Sequence, residues 1–499
     1  MTASYGARVT AEPAEQPVGA SAAGSTPAQR IAHAFAIQVI CRALGMLASV
    51  ASVSMTARYL GPGLYGQLII AVVFIGTWAS LTDLGIGTVI VRRVTTGRGE
   101  LQRLVRMNSG LSLLYCVPLM GLAIGSGLLV YHDSKVRTML VVLSAQLLMM
   151  TMTTRFEPVF MVTVRFYAVA VSDIASRLAA LAAVSFLVAA RADIVWFAVA
   201  QLISPTLTLL IQGTAAARHI SLRPIFSWKE TADLLRETLP LMGAAVLAIL
   251  YLRADGVILS LVSSHSEVGV YGLSYLVAFN TVIVATFFLK ATLSTATELF
   301  SRDVVAFAGF MRRCIELMWF AAAPVAVIGV LLAGPLIRFF GDQAFVGRGK
   351  PTLALLCIAA AIRIVSATLS QGLFACHRQQ LLFQLSIVQV GLNIVFNLAL
   401  DGSFGAVGAG AAVVGTELFG MVIAGWCLQR ECGYRTPVMF LSRLLIPLSA
   451  SAVVALLLSH QHVVISLAAA GAAYLATNMA FGPVNWPALA ALRGKKVMA

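Results

Sequence analysis

The chain has 499 residues, 59% of them hydrophobic and only 11% charged, with a formal net charge of +15. Soluble domains carry roughly 25% charged residues, so a soluble fold is excluded and lipid is the natural solvent for this surface. A basic excess of this size would point to nucleic acid in a soluble protein; here it reads as topology, so no nucleic-acid partner is expected.

In chain order, residues 1–30 are rich in Ala, Ser, Gly and Pro and lack the basic-then-apolar order of a signal peptide. They are expected to form a disordered cytoplasmic tail. A membrane-spanning helix needs ~20 mostly apolar residues, and six such spans are predicted over 31–57, 64–90, 108–131, 138–162, 166–190 and 194–217. These form an N-terminal six-helix lobe, residues 31–217. A polar stretch, 218–238, is read as a cytoplasmic linker. Six further spans follow, over 239–262, 268–293, 314–340, 351–376, 381–400 and 404–429, giving a C-terminal lobe, 239–429. Residues 430–481 hold two additional spans, 444–459 and 463–481, and 482–499 form a second cytoplasmic tail. The fold class is therefore an all-α polytopic membrane protein with about 14 transmembrane helices.

Lys and Arg fall mainly in every second gap between spans, outnumbering those on the other side by about three to one. By the positive-inside rule both termini are cytoplasmic. The largest outer loop is predicted at Gly341 to Lys350. The seven cysteines lie in or beside apolar segments without a CxxC pair, so no disulfide or metal framework is implied. His460 and His462 in an outer loop are a weak metal signal.

Two short stretches recur. Gly63-Leu64-Tyr65-Gly66 opens the second span and Gly269-Val270-Tyr271-Gly272 the eighth, 206 residues later. Phe160 to Arg165 and Leu373 to Arg378 stand 213 residues apart at matching places in the helix order. Two parallel six-helix units are inferred, and transporters place their substrate path at such a repeat interface.

Charged groups at membrane depth cost ~2.5 kcal/mol or more on insertion scales and by default mark a pathway. Asp173 and Arg177 are four apart, share a helix face and are expected to pair. Arg155 and Glu157 lie near the cytoplasmic end, where snorkelling is easy. Arg253 and Asp255 are two apart and so point to roughly opposite sides. Arg42 and Arg363 have no acidic partner within a turn, Lys290 sits deep in the eighth span, and Glu417 lies in the twelfth. Arg42, Arg253, Asp255, Lys290 and Arg363 are the candidate cavity residues. Four of these five are cationic, which suits a phosphate-bearing cargo. Asn393 and Asn397, one turn apart, are read as interhelical hydrogen-bonding residues.

Tyr59-Leu60-Gly61-Pro62-Gly63-Leu64-Tyr65-Gly66, then Thr82-Asp83-Leu84-Gly85-Ile86-Gly87 and Arg92-Arg93, resemble the opening of bacterial polysaccharide flippases. Arg253-Ala254-Asp255-Gly256 and Val268 to Gly272 resemble that family's seventh and eighth helices. The family is the polysaccharide-transporter branch of the multidrug/oligosaccharidyl-lipid/polysaccharide (MOP) exporter superfamily. The resemblance implies two lobes in a V around a cavity lined by the first, second, seventh and eighth helices. It implies translocation of undecaprenyl-diphosphate-linked oligosaccharide from the cytoplasmic to the periplasmic leaflet, for exopolysaccharide or O-antigen. Arg42, Arg253, Asp255 and Lys290 would then face the cavity, and Asp83 with Arg92 or Arg93 would form a gate or a loop anchor.

A lipid-linked glycan, membrane lipids, a polysaccharide polymerase and a chain-length regulator are the implied partners, in the bacterial inner membrane. No GxxxxGK[ST] loop occurs, and no cofactor is expected. The alternatives are a small-molecule or multidrug antiporter of the same superfamily, which would want a compact acidic site, and a membrane-embedded glycosyltransferase or polymerase. The latter needs catalytic carboxylates or a sizeable extramembrane loop, so a non-enzymatic transporter is the preferred reading.

Overall fold

The computed structural model describes residues 27–82, 85–163, 167–218, 220–221 and 223–484, with side chains from Leu44 onward apart from a few positions, most of them in the seventh span. Every regular element among them is helical. Lipid offers no partner to a free backbone N–H or C=O, so a helix, which satisfies both internally, is what a run of apolar residues must form. The N-terminal part contains α1 (Pro27–Ser80), α2 (Ile86–Thr95), α3 (Leu101–Val130), α4 (Ser134–Thr154), α5 (Glu157–Thr163), α6 (Tyr167–Ala189), α7 (Ile194–Gln201) and α8 (Ile203–Ala217). The C-terminal part contains α9 (Trp228–Val262), α10 (His265–Phe279), a 3₁₀ turn (Asn280–Val282), α11 (Ile283–Arg302), α12 (Val304–Leu331), α13 (Ala333–Phe340), α14 (Gln343–Ala375), α15 (Gln379–Phe404) and α16 (Ala406–Cys432). Two last helices follow, α17 (Val438–Leu457) and α18 (Val463–Phe481).

Among the described residues, twelve helices are long and apolar enough to cross a membrane, against the fourteen spans expected. Two causes account for the difference. The first two spans run together as α1, interrupted at Gly61, whose φ of 68° and ψ of 172° are not helical. The seventh lies in α9, 35 residues long, which is not among the twelve. Several spans are broken where one continuous helix was expected. The fourth turns at Arg155 and Phe156 between α4 and α5, the sixth at Leu202 between α7 and α8, and the ninth at Leu332 between α12 and α13. The expected loop from Gly341 to Lys350 shrinks to Gly341 and Asp342, because Asp342 caps α14 by accepting from the Gln343 N–H.

One end of the bundle carries the arginine-rich turns and is termed here the basic end. At the opposite end the second half of α1 crosses α10 with the two backbones in contact. A Cβ added at Gly66 would lie 1.7 Å from the His265 carbonyl oxygen, and one at Gly269 would lie 2.3 Å from the Pro62 carbonyl oxygen. Only glycine permits so close an approach. In lipid, helix association rests on such close packing of small residues. Gly66 and Gly269 belong to the two Gly-x-Tyr-Gly repeats, so the repeats meet each other across the molecule. A continuous apolar core surrounds this crossing, built on Leu68, Leu143, Phe197, Leu273, Phe345 and Leu353. The two C-terminal helices pack on each other and on α12, where the Tyr474 hydroxyl donates to the Phe320 carbonyl at 2.8 Å.

Candidate functional site

A crevice of about 350 Å³ lies between the second half of α1 and the pair α9 and α10. Val72 and Val73 line it from α1, Arg253 and Gly256 from α9, and Tyr275 and Phe279 from α10. Arg253 reaches across to the N-terminal part. A Cβ at Gly76 would stand 3.7 Å from its Nη1, so the guanidinium lies against a stretch of α1 that has no side chain there. No carboxylate of the described residues pairs with Arg253, and the side chain is exposed within the crevice.

Asp255, two residues on, takes the opposite direction. It is 4% exposed and accepts a hydrogen bond from the Tyr271 hydroxyl. Asp255 also borders a second cavity of about 20 Å³ with Tyr251, Tyr275, Arg363, Asn393 and Glu417. The residue thus stands between the interlobe crevice and a polar cluster inside the C-terminal helices. Tyr271, Tyr275 and Phe279 follow one face of α10, with ring centroids 5.9 and 4.2 Å apart, and form the wall between the two spaces.

Inside the cluster, Arg363 Nη1 donates to Glu417 Oε1 at 2.6 Å, and the Tyr251 hydroxyl donates to the same oxygen at 2.5 Å. The guanidinium lies 4.8 Å above the Tyr251 ring. Arg363 is therefore engaged by Glu417, 54 residues away, and does not line the interlobe crevice. Sequence spacing could not reveal this pairing because the partner sits on another helix. Asp401 was missed as well, since the eleventh span was ended at residue 400. It lies in α15, is fully buried, and neither carboxylate oxygen has a partner among the described residues. Glu417 Oε2 is likewise buried and has no partner among the described residues. Among the described residues, the bonds of Asn393 and Asn397 run within their own helix: Asn397 Nδ2 donates to the Asn393 carbonyl at 2.7 Å and to its Oδ1 at 3.2 Å.

Lys290 sits apart from the crevice lining. It is exposed on α11 in a line with Thr286, Ser294 and Glu298, each four residues from the next. No acidic partner is found for Lys290 among the described residues. Arg42 and Asp83 lie outside the described residues, Arg42 by its side chain. Asp173 and Arg177 are brought together, with Arg177 Nε 2.9 Å from Asp173 Oδ1 and its Nη1 donating to Ser49 Oγ at 2.6 Å. Arg155 does not snorkel: it is 8% exposed, and its Nε donates to the Met152 carbonyl at 3.2 Å.

At the basic end, Arg92 and Arg93 converge on Glu237 at the start of α9. Arg93 Nη2 is 2.6 Å from Glu237 Oε2, and Arg92 bonds the other oxygen. Hydrogen bonds from Arg93 and then Arg92 hold the Glu237 carboxyl below the usual carboxylate range. Two turns earlier Arg103 pairs with Glu230, with Nε 3.2 Å from Oε2. The first turns of α9 are thereby clamped to α2 and α3. This partner was hidden in the sequence because Glu237 falls in the stretch read as a linker.

Comparison with known proteins gives three findings. The profile of the family described as "Polysaccharide biosynthesis protein" matches residues 55–346. "Probable flippase AglR" of Haloferax volcanii is 24% identical over 206 residues, 41% of this chain and 43% of that protein, so the match spans less than half of the relative's length. Among solved structures, the lipid II flippase MurJ in an inward closed conformation superposes with a TM-score of 0.73 at 14% identity, covering 89% of this chain and 98% of that one. An inward-facing multidrug resistance MATE family transporter of the MOP superfamily gives 0.63 at 13% identity, covering 79% and 98%. At these identities the likeness is one of fold.

Proposed function

The chain belongs to the family of polysaccharide biosynthesis proteins, and on that premise we propose that it is a flippase for undecaprenyl-diphosphate-linked oligosaccharides. It would carry them from the cytoplasmic to the periplasmic leaflet by alternating access, for exopolysaccharide or O-antigen. The observation that carries the reading is Arg253: a guanidinium that pairs with no carboxylate among the described residues and faces the crevice between the two halves of the molecule. A guanidinium presents a planar fork of donors that matches phosphate oxygens. A water-poor crevice strengthens that attraction. Arg253 would hold the diphosphate while the sugars occupy the widened cleft and the polyprenyl chain stays in lipid. Lys290 and its hydroxyl-bearing neighbours would extend the hydrated path, and Arg42 would add a second cation. The basic end would face the cytoplasm of a bacterial inner membrane, with both termini on that side. Polymerase and chain-length regulator are the proposed downstream partners.

A second reading, a small-molecule antiporter, is favoured by one observation. Asp255 and Glu417 share a small cavity with one guanidinium, Arg363. Two carboxylates beside one guanidinium would suit a site for a cation, as drug export needs. In the flippase reading the same carboxylates supply the coupling to an ion gradient.

Proteoliposomes separate the two. With a fluorescent undecaprenyl-diphosphate oligosaccharide in the outer leaflet, the wild-type chain is expected to give protected, flipped lipid. Arg253→Ala is expected to reduce the rate at least tenfold at equal reconstitution. Transport of an organic cation with no movement of the glycolipid would establish the antiporter instead.

A further inference from the structure

A separate cavity of about 300 Å³ opens on the outer flank of the C-terminal helices, away from the crevice between the halves. Its walls are Ile315 and Trp319 of α12, Leu369 of α14, and Met421, Gly425 and Trp426 of α16. The α16 residues recur at three- and four-residue spacing, so they form one stripe. At the basic end the lining turns polar, with Gln429 and then Tyr434 and Thr436 from the short strap that joins α16 to α17. The strap carries the chain from α16 to α17, which packs beyond α12. Along the helix the distance from Gln429 to Met421 is about 12 Å at 1.5 Å per residue. The cavity is open to the side, where Val422 and Trp426 are 57% and 50% exposed.

The mouth carries a specific cation. Arg430 stacks on Trp426, with its guanidinium carbon 3.9 Å from the ring centroid, and pairs with no carboxylate among the described residues. Stacking fixes the plane of the group while leaving its N–H donors free. Arg312 on the facing helix is already engaged by Glu316 at 3.0 Å. An apolar slot about 12 Å deep at 1.5 Å per residue thus leads up to a guanidinium that is held by stacking and has no carboxylate partner among the described residues. That sequence of polarity matches an acyl chain below an acidic headgroup. Basic pockets between transmembrane helices on the cytoplasmic side are where anionic lipid headgroups bind.

We propose that this flank holds an anionic phospholipid of the leaflet at the basic end, its acyl chain between α12 and α16 and its phosphate on Arg430. The site lies on the far side of the C-terminal helices from Arg253. It is independent of the transported molecule, and its test does not depend on transport.

Purified protein in nanodiscs of equal phosphatidylglycerol and phosphatidylethanolamine with matched acyl chains, followed by native mass spectrometry, provides that test. The wild-type chain is expected to retain phosphatidylglycerol about fivefold over phosphatidylethanolamine, as for one cation near an anionic headgroup. Arg430→Gln is expected to erase that preference. Gly425→Leu fills the slot, since a Cβ there already contacts Leu369 at 3.7 Å, and is expected to lower the retained lipid by one per chain. Arg430 is exposed, so its replacement leaves the fold intact should Gly425→Leu fail to assemble. Equal retention of the two lipids by the wild type, or a preference untouched by Arg430→Gln, would overturn the site. So would displacement of the retained phospholipid by an undecaprenyl phosphate probe.

Discussion

Arg253 and Asp255 show how residues two apart in the chain divide a proposed transport site. Roughly 200° of helical rotation sends the guanidinium toward α1 and the carboxylate into the C-terminal helices. That division was legible in the sequence, since spacing alone fixes it. The pairing of Arg363 was not, because Glu417 lies on a different helix and no period links them. Removing one member of a buried pair leaves an uncompensated charge and costs about 3–5 kcal/mol. Arg363→Ala or Glu417→Ala should therefore lower the unfolding midpoint sharply in detergent, whereas Arg363→Met with Glu417→Leu should recover most of the loss. Single variants as stable as the parent would show that the pair contributes no structure. Asn393→Ala should be milder, near the ~0.6 kcal/mol typical of a hydrogen bond in lipid, as read from the same unfolding curves.

At the scale of the helices, the second and eighth spans were legible as repeats, yet their meeting was not. A repeat reports ancestry and place in the order; contact depends on the lateral packing of the two lobes. The Gly66 and Gly269 crossing seals the end opposite the basic one. Gly66→Val should wedge it apart, and cysteines placed at Pro62 and Ser266 should then cross-link more slowly than in the parent. Unchanged cross-linking would mean that this contact does not close the end. The extension of α9 beyond the bilayer was hidden because its first turns, from Trp228 to Glu237, are polar and carry none of the periodic apolar signal that spans show. Those turns serve as a clamp instead, through Glu230 and Glu237. The Glu237 carboxyl is held below its ordinary range by Arg93 and Arg92. A depressed carboxylate contributes fully above its free pKa of about 4.3 and loses that contribution as pH falls through the lowered value. Spin labels on α2 and on the first turns of α9 should keep one distance from pH 8 down to about 5 and separate only in stronger acid. Separation already near neutrality would remove Glu237 from the clamp.

For the molecule as a whole, composition and charge alternation were enough to place it in the membrane as an all-helical, multi-pass protein. The exact breaks in the helices were not legible, since a turn at Leu202 or Leu332 interrupts no apolar run. The functional claim concentrates on the space between the halves. Both ends of that space are joined, by glycine contacts at one and ion pairs at the other, and the remaining crevice admits a headgroup rather than an oligosaccharide. Loading then requires one end to open, which is the expectation for two rigid bundles rocking about a central site.

The most direct measurement is the affinity of the purified chain for a short-chain polyprenyl diphosphate, compared between the parent and Arg253→Ala by titration at fixed ionic strength. Saturable binding that weakens at least tenfold in the variant, with the monophosphate bound less tightly than the diphosphate, is the predicted result. Equal affinity of parent and variant for the diphosphate would contradict the account.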